Sequence, residues 1–257
     1  MTQRRLAVLL GILLTGMGTL AHAQLIVSEK EIDRQSRTEW LMMKKHTPVY
    51  ADDRVQRYAR CIATELVKVL EPEWQDLRWE VIVFDNDELN AFVLPGGKIA
   101  VFSGILRVAD NPDALAAVLG HEIAHMTQGH VLDRARRASR VSAAAILGSA
   151  ATGIHRDYFE AGGMFGAFLP FARKQESESD VVGLDYMAKA GFDPRAALQL
   201  WQNMELEKEG RNQPPLWMST HPREDQRLDE MVPLLVANLK IYNEAQEAGK
   251  IPNCYPR

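Results

Sequence analysis

Residues 111–125 read Asn-Pro-Asp-Ala-Leu-Ala-Ala-Val-Leu-Gly-His-Glu-Ile-Ala-His, a segment that contains both a helix start and a metal-binding spacing. Asn111 offers an N-cap side chain, Pro112 fills the first helical position where its missing N–H costs nothing, and Asp113 suits the positive end of the helix dipole. The helix is expected to continue through His125. Four residues apart, His121 and His125 then share one face, one turn from each other, and both imidazoles can reach one tetrahedral ion. Glu122 sits beside that ion and not on it, where a carboxylate can take a proton from a water that the metal activates. The bland alternative is a pair of helix-face histidines with no metal between them.

A hydrolytic ion needs a third protein ligand and an open fourth position. His130 does not fit the long metzincin signature, which places a glycine and a histidine three and six positions after the second His; Gly129 and His130 come at four and five. A carboxylate from another helix is therefore expected. The acid cluster Glu176-Ser177-Glu178-Ser179-Asp180 opens such a helix, which runs from about Ala172 to Ala190 and stops at Gly191. Helical phase puts Glu176 and Asp180 on a face that continues through Gly183, Leu184 and Met187, whereas Glu178 points away. Glu176 is assigned as the ligand and Asp180 as the acceptor that orients a ligating imidazole through its other ring nitrogen. Gly183 lets this helix approach the histidine helix closely. Without the His-Glu-x-x-His pattern, the same cluster reads as an acidic, solvated first helical turn.

Outward from these two helices, apolar residues at Val55, Tyr58, Ile62, Leu66, Val69 and Leu70 predict a helix from Asp52 to about Leu70, ended by Pro72. Trp79 to Phe84, Ala91 to Leu94 and Lys98 to Leu106 are β-rich and broken at Asp85-Asn86-Asp87 and Pro95-Gly96-Gly97, which predicts a small antiparallel sheet. Asp193-Pro194 opens a helix that ends near Gly210, and a last one follows His221-Pro222 with a kink or break at Pro233. Helix, sheet, then mostly helices is an α+β order.

Residues 1–23 read as a removable secretory signal: Arg4 and Arg5, an apolar run from Leu6 to Leu20, and the small-residue triplet Ala21-His22-Ala23. A single domain, 24–257, would follow, exported to the periplasm. Without Arg4 and Arg5 the balance is 28 basic against 34 acidic residues, a net charge of -6 against -4 for the whole chain, which argues against general affinity for nucleic acid. The two cysteines, Cys61 and Cys254, would sit in an oxidising compartment where a disulfide could staple the C-terminal tail to an early helix; two unpaired thiols are the alternative. Val141 to Phe171 is rich in small and apolar residues, with Arg134, Arg136, Arg137 and Arg140 upstream. It reads as a lid or packing segment, with an interfacial membrane contact as the second choice.

Four motifs in one order resemble peptidase family M forty-eight, the HtpX, BepA and CAAX-endopeptidase type of minigluzincin. They are Asn90-Ala91-Phe92-Val93-Leu94-Pro95-Gly96-Gly97, then His121 to His125, then Arg173 with Glu176 and Asp180, then Thr220-His221-Pro222 with Arg227. Together they span about residues 50 to 230, leaving a C-terminal helix and tail at 231–257, and the likeness is nearest to the small periplasmic members related to BepA. Ser179 stands where the family usually has Ala, and no repeat domain of the larger BepA type follows.

The resemblance implies a mainly helical, zincin-like domain binding one zinc ion through His121, His125 and Glu176. The strand Asn90, Ala91, Phe92, Val93, Leu94 would be a sheet edge facing the active-site cleft and pairing with an extended substrate, as in β-strand addition. His221 would stabilise the oxyanion or occupy the metal's open position at rest, supported by Arg227. Read from its neighbours alone, His221 is only a histidine at a helix start. The implied activity is a metalloendopeptidase acting on unfolded or misfolded envelope proteins, with a peripheral contact to the outer membrane or an assembly machinery. The alternative is an assembly factor whose protease is largely latent.

Overall fold

A computed structural model describes residues 28–137, 172–209, 215–221 and 225–255, the side chains of 225–228 excepted. Residues 1–23, read above as a signal, and the Val141 to Phe171 stretch lie outside the described residues. The elements in order are α1 (Glu29–His46), α2 (Asp53–Val67), α3 (Pro72–Gln75), β1 (Glu80–Phe84), β2 (Ala91–Leu94), β3 (Lys98–Phe102), a 3-10 turn (Ser103–Arg107), α4 (Pro112–Thr127), α5 (Arg173–Ala190), α6 (Ala196–Lys208), α7 (Leu216–Thr220) and α8 (Asp225–Glu247). The class is α+β, predominantly helical. No described helix is long and apolar enough to cross a membrane.

Helix α4 is the axis of the molecule: every residue from Ala114 to His125 is buried, with α2, α5, α6 and the sheet packed around it. Its start is built as the residues predict, the Asn111 side chain accepting from the Ala114 N–H at 2.9 Å with Pro112 in the first turn. Asp113 has a second task, accepting the backbone N–H of Asp193 at 2.9 Å and so pinning the turn between α5 and α6 to the head of α4. Asp52 caps α2 by accepting from the Arg54 N–H. Gly191, at φ +87, ends α5 in the left-handed conformation that favours glycine.

The sheet differs from the expected antiparallel one. Its order is β1-β3-β2; β2 and β3 form an antiparallel hairpin, but β1 and β3 run parallel. The chain leaves β1, crosses to the far edge as β2, and turns back through Gly96 and Gly97, both at positive φ, so β3 enters the middle in the direction of β1. The third strand is also shorter than predicted. Beyond Phe102, Gly104 lies so close to the Asp87 backbone that a Cβ there would fall 2.2 Å from its carbonyl oxygen, and the chain coils into the 3-10 turn.

All four residues of β2 are buried because both faces of the sheet are covered. Val93 and Ala91 join Val83, Ile99 and Val101 in the main core with α2 and α4, while Phe92 and Leu94 pack with Phe84, Ala100 and Phe102 against Trp40 and Met43 of α1. Helix α1 has no counterpart in the sequence reading; its signal is the helical spacing of Ile32, Ser36, Trp40 and Met43, all buried. Ser36 also donates to the Pro95 carbonyl at 2.7 Å, tying α1 to the hairpin turn.

Helix α8 continues through Pro233 without the expected break. Met231 and Asn238 are buried on either side of that residue, so packing holds the helix where one backbone hydrogen bond is lost. Cys61 and Cys254 form a disulfide across 193 residues, fastening the C-terminal tail to α2. Closing so long a loop contributes at most about 5 kcal/mol in the chain-entropy account.

Candidate metal centre

Helices α4 and α5 meet at two glycines. A Cβ on Gly183 would stand 3.0 Å from the His121 backbone nitrogen and 3.2 Å from the Gly120 carbonyl carbon, and one on Gly120 would stand 3.2 Å from the Gly183 oxygen. The obstructing atoms are backbone, so neither helix can yield by a rotamer change. This close approach puts Glu176, about two turns earlier on α5, opposite the two histidines of α4. Gly183→Ala is expected to push the helices apart, lowering stability by about 1–3 kcal/mol and weakening zinc binding together. Thermal unfolding and a zinc titration check this, and an unchanged pair of values would mean that the glycine contact does not set the site.

One ligand atom from each of His121, His125, Glu176 and His221 lies within 4.8 Å of all the others, and the four residues are buried. His121 Nε2 is 3.0 Å from His125 Nε2 and 3.5 Å from Glu176 Oε2; His125 Nε2 is 3.3 Å from Glu176 Oε1. His221 Nδ1 is 3.2 Å from His121 Nε2 and 3.1 Å from Glu176 Oε1. Donors about 2.0–2.1 Å from a tetrahedral zinc are about 3.3 Å from one another, so the observed separations fit one such ion. The chemistry of the donor set, imidazole nitrogens with one carboxylate, fits it equally.

The ring nitrogens facing away from the cluster have partners of their own. His121 Nδ1 is 2.9 Å from Asp180 Oδ1, so its N–H donates there and Nε2 is the nitrogen directed at the cluster. His125 Nδ1 is 3.1 Å from Nδ1 of His130, a buried residue with no role in the assignment made from spacing; His130 also meets Ser179 Oγ at 3.1 Å and Glu178 Oε2 at 3.4 Å. Glu178 is exposed, as its phase predicts, and touches the group only through His130. The segment carrying His130 starts a new helical stretch, residues 130–137, after Gly129 at φ +76 turns the chain. Nothing in the local sequence marks that return.

Electrostatics follow from burying many charges together. Burial opposes charge on Glu176, but His221, His121 and His125 outweigh it and hold the carboxyl well below the usual range. Burial drives His125 far down and keeps it a neutral imidazole. For His121 burial is overcome by hydrogen bonds and charges from Asp180 and Glu176, which push it up to about 9. Glu122, fully buried, is likewise kept ionised against burial by His221, His121 and Arg134.

Among the described residues, the strand predicted as a substrate edge is the last strand of the sheet. β2 pairs on one side with β3, and Phe102 donates to the Asn90 carbonyl at 3.0 Å, so Ala91 and Val93 turn their backbone groups the other way. Val93's carbonyl accepts from the buried Arg134 guanidinium at 3.4 Å. The Asn90 side chain is 1% exposed, and neither its Nδ2 nor its Oδ1 meets a hydrogen-bond partner among the described residues. Arg227 lies in α8, but its side chain is not among those described.

The sequence profile of Peptidase family M48 matches residues 53–233. The chain belongs to that family. Among similar proteins of the M48 type, mitochondrial metalloendopeptidase OMA1 of Schizosaccharomyces pombe is 37% identical over 180 residues, 70% of this chain and 51% of that protein. Metalloendopeptidase OMA1 of Homo sapiens is 33% identical over 189 residues, 66% of this chain and 35% of its own length. The beta-barrel assembly-enhancing protease of Escherichia coli K12 is 26% identical over 196 residues, 72% and 40%. The chain thus spans about half the length, or less, of these M48 relatives.

The relatives of higher identity carry mitochondrial names, and this overturns the periplasmic location inferred from residues 1–23. The error has a physical origin. A basic start without acidic residues is shared by secretory signals and organellar transit peptides, so Arg4, Arg5 and an apolar run do not separate the two.

Proposed function

We propose that this chain is a zinc endopeptidase that cleaves exposed, extended segments of unfolded or stalled proteins. The observation that carries the reading is the set of buried donor atoms from α4 and α5 at tetrahedral spacing, with the Glu122 carboxylate beside them. In this reading His121, His125 and Glu176 hold the ion, and Asp180 orients His121. Zinc, when bound, lowers the pKa of a water toward neutrality and polarises the scissile carbonyl. Glu122 takes the proton from the attacking water and later returns it to the leaving amine. An extended substrate adds to β2 through the outward backbone groups of Ala91 and the Val93 N–H, the Val93 carbonyl being held by Arg134, with the Asn90 amide as a further donor and acceptor; Phe92 and Leu94 serve by packing the strand in place.

A second reading, a client-binding assembly factor with a latent protease, is favoured by one contact. His221 Nδ1 stands at ligand distance from both His121 and Glu176, where it would fill the fourth position and leave none for water. In the first reading His221 leaves that position when substrate arrives and stabilises the oxyanion, with Arg227 in support.

The test is digestion of a denatured, reduced protein by the purified chain. Cleavage that stops on chelation and returns with one equivalent of zinc is expected. Binding of the same protein without cleavage, at full zinc loading, would favour the second reading.

A further inference from the structure

Trp217 stands at the centre of the site, and the sequence reading gave it no role. It is 1% exposed, and its indole N–H donates to Glu122 Oε1 at 3.1 Å. Its own place is fixed from several sides. The backbone N–H bonds the Leu89 carbonyl at 2.9 Å, just ahead of β2, and its carbonyl accepts from the His221 N–H at 2.8 Å. The ring centroid lies 5.0 Å from that of Trp201 and 5.0 Å from that of His221.

The other half of the carboxylate is different. Oε1 also lies 3.1 Å from His221 Nε2, a close charge contact without hydrogen-bond geometry, and Oε2 is buried and meets no hydrogen-bond donor among the described residues. In water the two oxygens of a carboxylate are equivalent; a donor held on one of them and none on the other leaves the second as the more basic atom. An indole N–H is a donor only, so it holds Oε1 without competing for a proton.

We propose that Trp217 is the positioning residue of Glu122, fixing Oε1 so that Oε2 is the atom that accepts the proton. The step balances simply. One O–H bond of the attacking water breaks and its proton goes to Oε2, the remaining hydroxide oxygen adds to the carbonyl carbon, and the proton passes from Oε2 to the amine nitrogen as the C–N bond breaks. Whether His221 sits in the cluster or swings out of it, the indole keeps its hold on Glu122. The inference rests on Glu122 being the general base.

Trp217→Phe keeps an aromatic ring against Trp201 and His221 and removes the donor. A donor to an ionised group is lost, so kcat should fall about tenfold to a hundredfold. KM for a peptide substrate and the zinc dissociation constant, from chelator competition, should stay within about twofold. A hydroxamate inhibitor, whose proton must also be taken by Glu122, should bind more weakly by a factor like that in kcat. Trp201→Phe, which disturbs the stack and spares the hydrogen bond, should leave kcat near the parent value. If Trp217→Phe fails to fold, benzothienylalanine at 217 keeps the bicyclic shape with sulfur in place of the N–H and must give the same fall. A parent-like kcat in a folded variant overturns the proposal, and so does a fall in zinc affinity as large as the fall in kcat. Glu122→Gln separates the two levels: if it is inactive and Trp217→Phe is not, only this inference fails, whereas turnover in Glu122→Gln removes the general base itself.

Discussion

Glu122→Gln should bind zinc as the parent chain does and lose about a thousandfold in kcat, the middle of the range for removing a general base. The reason lies in how the cluster is divided between elements. The atoms at ligand distance belong to His121, His125, Glu176 and His221, and Glu122 contributes none of them. Gln preserves the volume of the buried side chain and still offers an oxygen to the Trp217 N–H and to His221. What it lacks is an atom that can accept a proton, since its second position becomes an NH₂ donor. Steady-state cleavage of a denatured protein, with zinc content measured on the same sample, checks both halves. Turnover within tenfold of the parent would reject Glu122 as base, and loss of zinc would mean that its charge is needed to hold the ion.

How far the site could be read in advance depended on whether a residue's place is set locally. The spacing of His121 and His125, the cap at Asn111 and the stop at Gly191 are properties of single helices, and they stand where local rules put them. Helical phase also sorted Glu176 and Asp180 from Glu178, because one buried face of α5 decides all three. Gly183 reads correctly for the same reason: a missing side chain in mid-helix, on the face that carries the acid, implies a neighbour's backbone.

Residues placed by chain reversal were not legible. His130 reaches His125 only because the chain turns at Gly129, and Trp217 reaches Glu122 from 95 residues away through a bond to Leu89. The sheet's mixed pairing has the same character. Strand composition marks β1, β2 and β3 as strands, but which of them takes the middle is set by covering both faces, one by α1 and one by α4. The location failed for a further reason: a leader is read by a receptor, and its composition is shared between receptors.

Glu176→Gln should do the opposite of Glu122→Gln, removing zinc before it removes chemistry. Glu176 is fully buried and faces three imidazoles, with contacts of 3.1 Å to His221, 3.3 Å to His125 and 3.5 Å to His121. Those neighbours hold it ionised against burial, so it offers both a donor atom and, among the described residues, the one full negative charge directed between all three rings. A zinc site of four donors binding with about 10–16 kcal/mol implies roughly 3 kcal/mol per donor, so the amide should weaken zinc binding about a hundredfold. Turnover measured at saturating zinc should recover in part, because Glu122, Trp217 and the β2 edge are untouched. Glu178→Gln is the matched control: it lies two residues away on the same helix, it is exposed, and it reaches the cluster only through His130 at 3.4 Å. Its zinc affinity should stay within a few-fold of the parent, short of the roughly 10–100-fold typical of a residue bonded directly to a ligand's far side, because Glu178 stands one residue further out. If instead Glu178→Gln loses the ion and Glu176→Gln keeps it, the two acids have been assigned the wrong way round, and the facing of α5 on α4 with them.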